Sequence, residues 1–168
     1  MSPGNRSSRL VLAGGIAFAA ALAFGAAAGA FGPPQFVVED AARPRVLHRE
    51  RVVAGATFSL EYVHSSERVP VRGTFRVEPD GSLAVVETAF AGFGPGLPEL
   101  VPGDDWRIAH GRIVHRPRNT ALSELRLRVS EIARQRLTTP SGTTIDLATR
   151  AGHGALVIIR IHHDRPPS

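Results

Sequence analysis

The chain has 168 residues, a formal net charge of +5 and no cysteine. The lack of cysteine excludes a disulfide framework, a thiolate metal site and a cysteine nucleophile. Beyond an apolar N-terminal segment, the remaining length suits one ordinary domain, so we expect no second folded domain.

The N-terminal part of the chain predicts a segment directed to the membrane. Residues 1–9 contain two arginines and form a cytoplasmic leader, whereas residues 10–32 carry no charge. A run of this length can cross a hydrocarbon core of about 30 Å as a helix, and the leading arginines favour export of the rest. A cleaved signal peptide, with Ala28-Gly29-Ala30 as its cleavage site, is the alternative. The main domain is predicted outside the cytoplasm in both cases, anchored to the membrane in the first and secreted in the second.

A β domain is predicted after a short linker. Residues 33–44 are rich in proline and in small and charged side chains, which is typical of a linker. Residues 45–165 form the predicted domain, because apolar side chains recur at every second position from Arg45 onward, starting with a strand around Val46 to Ala54. The clearest alternation runs from Thr57 to His64 and gives one inward face: Phe58, Leu60, Tyr62 and His64.

The next two strands are joined at Asp80-Gly81, a dipeptide typical of two-residue hairpin turns. A turn at these residues pairs Phe75 with Val86 and Thr74 with Glu87. This register aligns the apolar faces of the two strands.

Shorter apolar runs predict further strands in the second half of the chain: Trp106–Ile108, Gly111–His115, Leu125–Val129, Arg136–Thr139, Thr143–Leu147 and Ala155–Ile161. A helix within Ala121–Leu137 is an alternative, but strict alternation of leucine with arginine favours a strand there. Eight to nine short strands predict an all-β domain, either an antiparallel sandwich or a barrel.

His64 and its neighbours raise the question of catalysis. Adjacent residues of a strand point to opposite faces, so His64 cannot readily act as the base for Ser65. An exported hydrolase-like enzyme that uses His64 with Ser66 or Glu67 is the alternative function, although the chain has no G-x-S-x-G motif. We predict no catalytic residues and interpret His64 as a side chain that caps the inward face and bonds to backbone or a carboxylate.

Histidines near the C-terminus and a glycine-rich loop suggest two other kinds of site. His162, His163 and Asp164, with His153, contain metal-ligand types, but neighbours on a strand diverge, and we predict no metal and no cofactor. The loop from Gly92 to Pro98 lacks the Lys-Ser/Thr pair of a phosphate-binding loop. Its glycines and prolines suit a rigid connection that can also shape a binding surface.

Charge is distributed unevenly along the chain beyond the linker. Acidic residues outnumber arginines from Pro33 to Asp105, and arginines outnumber acidic residues from Trp106 to Ser168. The two halves can pair with each other within the fold, or the basic half can lie near anionic lipid. We expect no nucleic-acid binding, because the arginines alternate along strands and aromatic residues are few.

Two motifs resemble those of a known bacterial family. Residues 61–71, Glu-Tyr-Val-His-Ser-Ser-Glu-Arg-Val-Pro-Val, resemble the E-Y-x-H-S-V-E-K-x-P-V signature of the domain of unknown function 1850 family, and residues 93–98, Phe-Gly-Pro-Gly-Leu-Pro, resemble its F-G-A-G-L-P. The chain departs from the family pattern at Ser66, Arg68 and Pro95, where the family has valine, lysine and alanine. A looser resemblance extends from about Val46 to Ile161.

The resemblance implies a small exported or membrane-anchored protein, often encoded beside tripartite ATP-independent periplasmic (TRAP) transporters of the TAXI type. The resemblance implies no catalytic activity. We therefore expect an extracytoplasmic binding or accessory module whose partners are the membrane and subunits of a TRAP-TAXI solute transporter. The candidate binding residues come from the two motifs: Tyr62, His64, Ser65, Glu67, Arg68, Gly94, Gly96 and Pro98.

Overall fold

The computed structural model describes residues 32–65, 67–92, 103, 105–118 and 121–163. Its strands are β1 (Gln35–Asp40), β2 (Arg45–Arg51), β3 (Thr57–Val63), β4 (Pro70–Val77), β5 (Leu83–Phe90), β6 (Asp105–Ala109), β7 (Arg112–Arg116), β8 (Ala121–Leu122), β9 (Leu125–Arg128), β10 (Arg136–Thr138), β11 (Thr144–Asp146) and β12 (Leu156–His162). One short helix, α1 (Leu147–Ala151), follows β11. The predicted all-β class is confirmed, and within the described residues no helix is long and apolar enough to cross a membrane. Residues 1–31, with most of the predicted transmembrane segment, lie outside the described part.

The strands form two antiparallel sheets. The small sheet has the order β2-β1-β12-β9. The large sheet has the order β11-β10-β3-β4-β5-β7-β6, and β8 also pairs with β5. The sequence predicts either a sandwich or a barrel. Because the strands form two separate sheets, the fold is a sandwich.

Aromatic rings join the two sheets at the centre of the core. The ring of Phe36 on β1 meets that of Phe58 on β3 edge to face, with centroids 4.9 Å apart. Phe58 in turn stacks on Phe75 of β4 at 5.0 Å. All three side chains are buried, so Phe36 of the small sheet packs directly on the large sheet.

Strand β1 lies in the stretch for which the sequence predicts a linker. The structure shows a six-residue strand there, and its Phe36, Val37 and Val38 are buried. Asp40 ends the strand, since its Oδ1 accepts the backbone N–H groups of Ala42 and Arg43. The domain therefore begins about ten residues earlier than predicted. The strand was missed because its apolar run is too short to show alternation and the flanking prolines are typical of a linker.

The β4–β5 hairpin differs from the predicted two-residue turn. Gly81 N–H donates to the Glu78 carbonyl, and Glu78 N–H donates to the Ser82 carbonyl, which leaves three loop residues. Gly81 has a φ of 83°, as expected for the left-handed residue that ends such a loop. The predicted pairing of Thr74 with Glu87 is confirmed, but a register shift follows it and Phe75 pairs with Val85, not Val86.

The remaining predicted strands of the second half are present with ends shifted by a few residues. Residues 121–137 contain β8, β9 and a turn, so the alternative helix is excluded. Thr143–Leu147 is a strand only to Asp146, because Asp146 caps α1 by accepting the N–H of Thr149 at 2.9 Å. The described residues hold more strands than the eight or nine predicted.

Candidate functional site

The β3–β4 hairpin carries four of the eight candidate residues at its tip: His64, Ser65, Glu67 and Arg68. The N–H of His64 donates to the Val69 carbonyl, and the N–H of Arg68 donates to the His64 carbonyl, both at 2.9 Å. Strand β3 therefore ends at Val63, and the chain reverses direction between His64 and Val69. Arg68 closes the loop in the left-handed conformation, with a φ of 56°.

The His64 imidazole stabilises this turn. Its Nδ1 accepts the backbone N–H of Glu67 at 3.4 Å, and the ring is partly buried. Ser65 and Arg68 are exposed, and Glu67 is partly buried. Four residues named from the sequence lie outside the described part of the chain: Ser66, Gly94, Gly96 and Pro98.

An open groove of about 570 Å³ lies between β9 and the inner face of β3, β4 and β5. Its walls are mostly apolar: Leu60, Tyr62, Val71, Phe75, Val85, Leu122, Leu125 and Leu127. Three polar side chains, Thr88, Arg126 and Gln135, also line it. Gln135 is held in place, since its Oε1 accepts the Ser130 N–H at 2.8 Å and its Nε2 donates to the Arg128 carbonyl at 2.9 Å.

Two strands, β7 and β8, pair with separate parts of β5 beside the groove. Strand β7 pairs with residues 88–90, and β8 pairs with residues 83–84, so β7 and β8 diverge around residues 85–87. Val85 and Thr88 flank this gap and line the groove. Gly73 leaves space at the base of the groove, because a side chain there would crowd the Phe75 ring: a Cβ would lie 3.0 Å from it.

A polar depression of about 790 Å³ lies on the opposite face of the large sheet from the groove. We call it the arginine depression, after the four arginines that line it together with two carboxylates: Arg72, Arg112, Arg134, Arg136, Glu61 and Asp146. Four of these six side chains form one row across the strands, in the order Asp146, Arg136, Glu61 and Arg72. Charges alternate along this row, so opposite charges are neighbours.

The charged side chains of this row have neighbours of opposite charge, whereas, among the described residues, the other two arginines of the depression, Arg112 and Arg134, do not. Arg72 lies 3.5 Å from Glu61, and both side chains are half exposed. The pKa of Asp146 is lowered, chiefly because its carboxylate accepts the Thr149 N–H, with a smaller contribution from the charge of Arg136. Within the described part of the chain, neither Arg112 nor Arg134 has an acidic side chain within 4.0 Å. The depression therefore keeps excess positive charge.

Tyr62 and its cross-strand partner Val71 lie between the groove and the arginine depression, which are on opposite faces of the large sheet. Both residues contribute to the lining of both spaces, and we call the groove and the depression together the recess. Burial raises the pKa of the Tyr62 phenol above its ordinary value, so the ring is neutral at physiological pH. It packs against both apolar clusters of the core.

Among the described residues the C-terminal histidines form no ligand set, and Asp164, which the sequence groups with them, lies outside the described part of the chain. Across residues 32–65, 67–92, 103, 105–118 and 121–163, no group of three or more His, Asp and Glu side chains is arranged to hold a metal ion. His162 ends β12 and His163 follows it, so their side chains leave the strand on different sides.

The structure shows features of the recess that the sequence did not predict. Tyr62 was a predicted candidate, whereas none of the four arginines of the depression was. They come from β4, β7, β10 and the turn before β10, which only the order of strands brings together. Arg134 has a positive φ of 47°, in a turn where glycine is easier to accommodate, and this conformation is seen only in the structure.

One protein family matches the chain. Its sequence profile, described as Domain of unknown function (DUF1850), matches residues 58–147. The match runs from β3 to the start of α1 and includes the hairpin tip and nearly all of the recess. No curated protein and no solved structure matches the chain. Because the family profile covers more than half of the 168 residues, the chain belongs to the domain of unknown function 1850 family.

Proposed function

We propose that this protein is an extracytoplasmic binding module that its N-terminal segment anchors to the membrane, and that it serves as an accessory component of a TRAP-TAXI solute transporter. The groove is the observation that carries the binding role. Ligand pockets typically measure roughly 300–1,000 Å³ and combine apolar walls with a few placed polar groups. The groove has that size and that lining. The family resemblance supports the transporter as partner.

The geometry of the hairpin tip favours binding over hydrolysis. A general base must direct a nitrogen at the proton of its nucleophile. Nδ1 of His64 instead accepts a backbone N–H within its own turn, and Ser65 is an exposed loop residue. The contact between His64 and Glu67 uses the Glu67 backbone, so it does not orient the imidazole as a carboxylate partner would.

Crosslinking of the full chain in native membranes tests the partner. We expect transporter subunits to be recovered with the protein, and N-terminal peptides by mass spectrometry to include the residues before Phe31. Recovery of no transporter subunit from cells that express them would exclude the accessory role. A mature N-terminus at Phe31 would exclude the anchor and leave a secreted protein.

A His64→Ala variant separates the module from the alternative hydrolase. We expect a folded protein with weaker recovery of its partner, because the turn that presents the hairpin tip loses an acceptor. His153→Ala, which changes an exposed histidine far along the chain, serves as the matched control. Loss of a hydrolytic activity with fold and partner recovery intact would favour the enzyme that uses His64 with Ser66 or Glu67.

A further inference from the structure

We infer that an apolar patch at the end of the domain beside Gly32 contacts the lipid bilayer, and that the β3–β4 hairpin tip points away from the membrane. This orientation rests on the proposed membrane anchor and adds to it, because an anchor joined by a flexible linker would leave the domain free to turn.

The patch surrounds an open depression of about 570 Å³ at the start of the described chain. Proline, valine and alanine make up most of its lining, and we call these residues the proline patch: Pro33, Pro34, Val53, Ala54, Ala56 and Pro140. Val53 is 72% exposed, and Ala54 is exposed beside it. Contact with an apolar phase would bury these side chains and is therefore favourable.

Very little chain separates the proposed anchor from the proline patch. The uncharged run of residues 10–32 ends at Gly32. Pro34 is already fixed to the domain, since its carbonyl accepts the Val52 N–H at 3.0 Å. Two residues reach about 7 Å at most, and each proline ring fixes its own φ. A run that crosses the bilayer therefore holds the patch at the membrane surface.

The hairpin tip lies at the opposite end of the domain. Strand β3 begins at Thr57, next to the patch, and ends at Val63, where the tip begins. Backbone hydrogen bonds hold β4 to the patch end, since Gly55 N–H donates to the Val77 carbonyl and Val77 N–H donates to the Ala56 carbonyl. The seven extended residues of β3 span about 23 Å, so the tip stands away from the patch by roughly this length.

The charges near the proline patch suit a layer of zwitterionic head groups. Arg51 is exposed and lines the depression, and a long arginine side chain can lie along apolar atoms while its guanidinium group stays in water or near phosphate. The β4–β5 turn at the same end carries Asp80 and Glu78, and Glu78 pairs with Arg76 at 2.8 Å. Both signs of charge therefore border the apolar surface.

A second copy of the chain suits the patch less well than lipid does. Two copies anchored in the same bilayer would each turn the end beside Gly32 toward that bilayer, because the short connection to Pro34 is the same in both. Their proline patches would then face the membrane side by side and could not cover each other.

The test uses single labels, which the lack of cysteine allows. Ala54→Cys and Ser65→Cys, both at exposed positions, each carry an environment-sensitive fluorophore on the full chain in phosphatidylcholine nanodiscs. Co-elution with the discs shows insertion. Lipid with a nitroxide near its head group should quench the label at position 54 at least about threefold more than the label at position 65, because about 23 Å of strand lies between them.

Two further variants separate the patch from simple nearness to the anchor. Val53→Glu should reduce quenching at position 54 by about half or more, because a carboxylate is unfavourable in an apolar phase. Ile132→Glu is the matched control, since Ile132 is 63% exposed and lies with Val63 and Arg68 near the hairpin tip. It should leave quenching unchanged. Both positions are exposed, so neither variant should alter the unfolding midpoint.

Three results would overturn the orientation while the protein still co-elutes with the discs, which would leave the proposed anchor standing. The first is equal quenching at positions 54 and 65, and the second is an equal loss in Val53→Glu and Ile132→Glu. The third is a label at position 54 that neither the nitroxide lipid nor iodide in solution can quench, which would show that protein covers the patch. A full chain that stays outside the discs would reject the anchor and the orientation together.

Discussion

Glu50 connects the two sheets through a single carboxylate. It lies on β2 and accepts hydrogen bonds from Ser141 N–H at 2.9 Å, Ser141 Oγ at 2.6 Å and Thr139 Oγ1 at 3.1 Å. His48 Nε2 lies 2.8 Å away on the same strand. Burial raises the pKa of this carboxyl, but the hydrogen bonds from Ser141, His48 and Thr139 outweigh it and hold the pKa below its ordinary value.

We predict that Glu50→Gln lowers the free energy of unfolding by about 1.5–3 kcal/mol, the range of a hydrogen bond to a charged group. Glutamine places an N–H₂ donor where the carboxylate accepts bonds from both hydroxyl groups. Urea denaturation near neutral pH measures the change. Glu61→Gln is the control, because a half-exposed ion pair contributes only about 0–1 kcal/mol. Equal losses in the two variants would contradict a special role for Glu50.

The effect of Glu50→Gln on the free energy of unfolding should depend on pH, and the lowered pKa of Glu50 gives the direction. Since the pKa of Glu50 is lower in the folded state, its stabilisation is complete above 4.5 and is lost as the pH falls through the folded-state pKa. The stability difference between the unchanged protein and Glu50→Gln should therefore shrink on acidification below pH 4.5. A difference that stayed constant or grew there would show that the carboxylate charge is not the cause.

At the scale of elements, the β4–β5 hairpin depends on the conformation of one glycine. Gly81 has a φ of 83°, and a Cβ at this position would lie 2.8 Å from Nε2 of His163. We predict that Gly81→Ala costs about 1–2 kcal/mol, mainly from the left-handed backbone. Urea denaturation gives the value. Gly81→Asn carries the same Cβ but tolerates this backbone, so it should lose less, and equal losses would point to the His163 contact instead.

Alternation predicted β3 and β4 well, because Phe58, Leu60, Val71 and Phe75 face one side of a half-buried sheet. It could not predict the bulge near Val86, since one extra residue is selected by the cross-strand packing that follows it. Strand β1 was not predicted for a different reason: its run of apolar residues is short, and the segments on both sides of it contain proline or small residues. The recess was beyond local reasoning, as four separate elements contribute its arginines.

At the scale of the whole molecule, the sandwich should unfold as one unit. Phe36 is fully buried between the sheets and contacts Phe58 across them. We predict that Phe36→Ala lowers the free energy of unfolding by about 3–5 kcal/mol, as is typical of a buried aromatic side chain. Trp106 fluorescence and far-ultraviolet circular dichroism should give coincident transitions in guanidinium chloride.

Val53→Ala is the control for this prediction, because Val53 is 72% exposed and its truncation should change stability by about 0.5 kcal/mol or less. Two separated transitions, with the Trp106 signal retained after most of the dichroism is lost, would show that the large sheet is stable without the small one.

The position of β12 delays completion of the small sheet. Its partners on either side are β1, near the start of the domain, and β9, and its Val157, Ile158 and Ile159 are buried. Because β12 is the last strand of the described chain, β1 and β9 have no common partner until this strand is available. Pairing between such distant segments is slow. A chain that ends before Leu156 therefore lacks part of its core, and the unpaired edges of β1 and β9 expose it to aggregation.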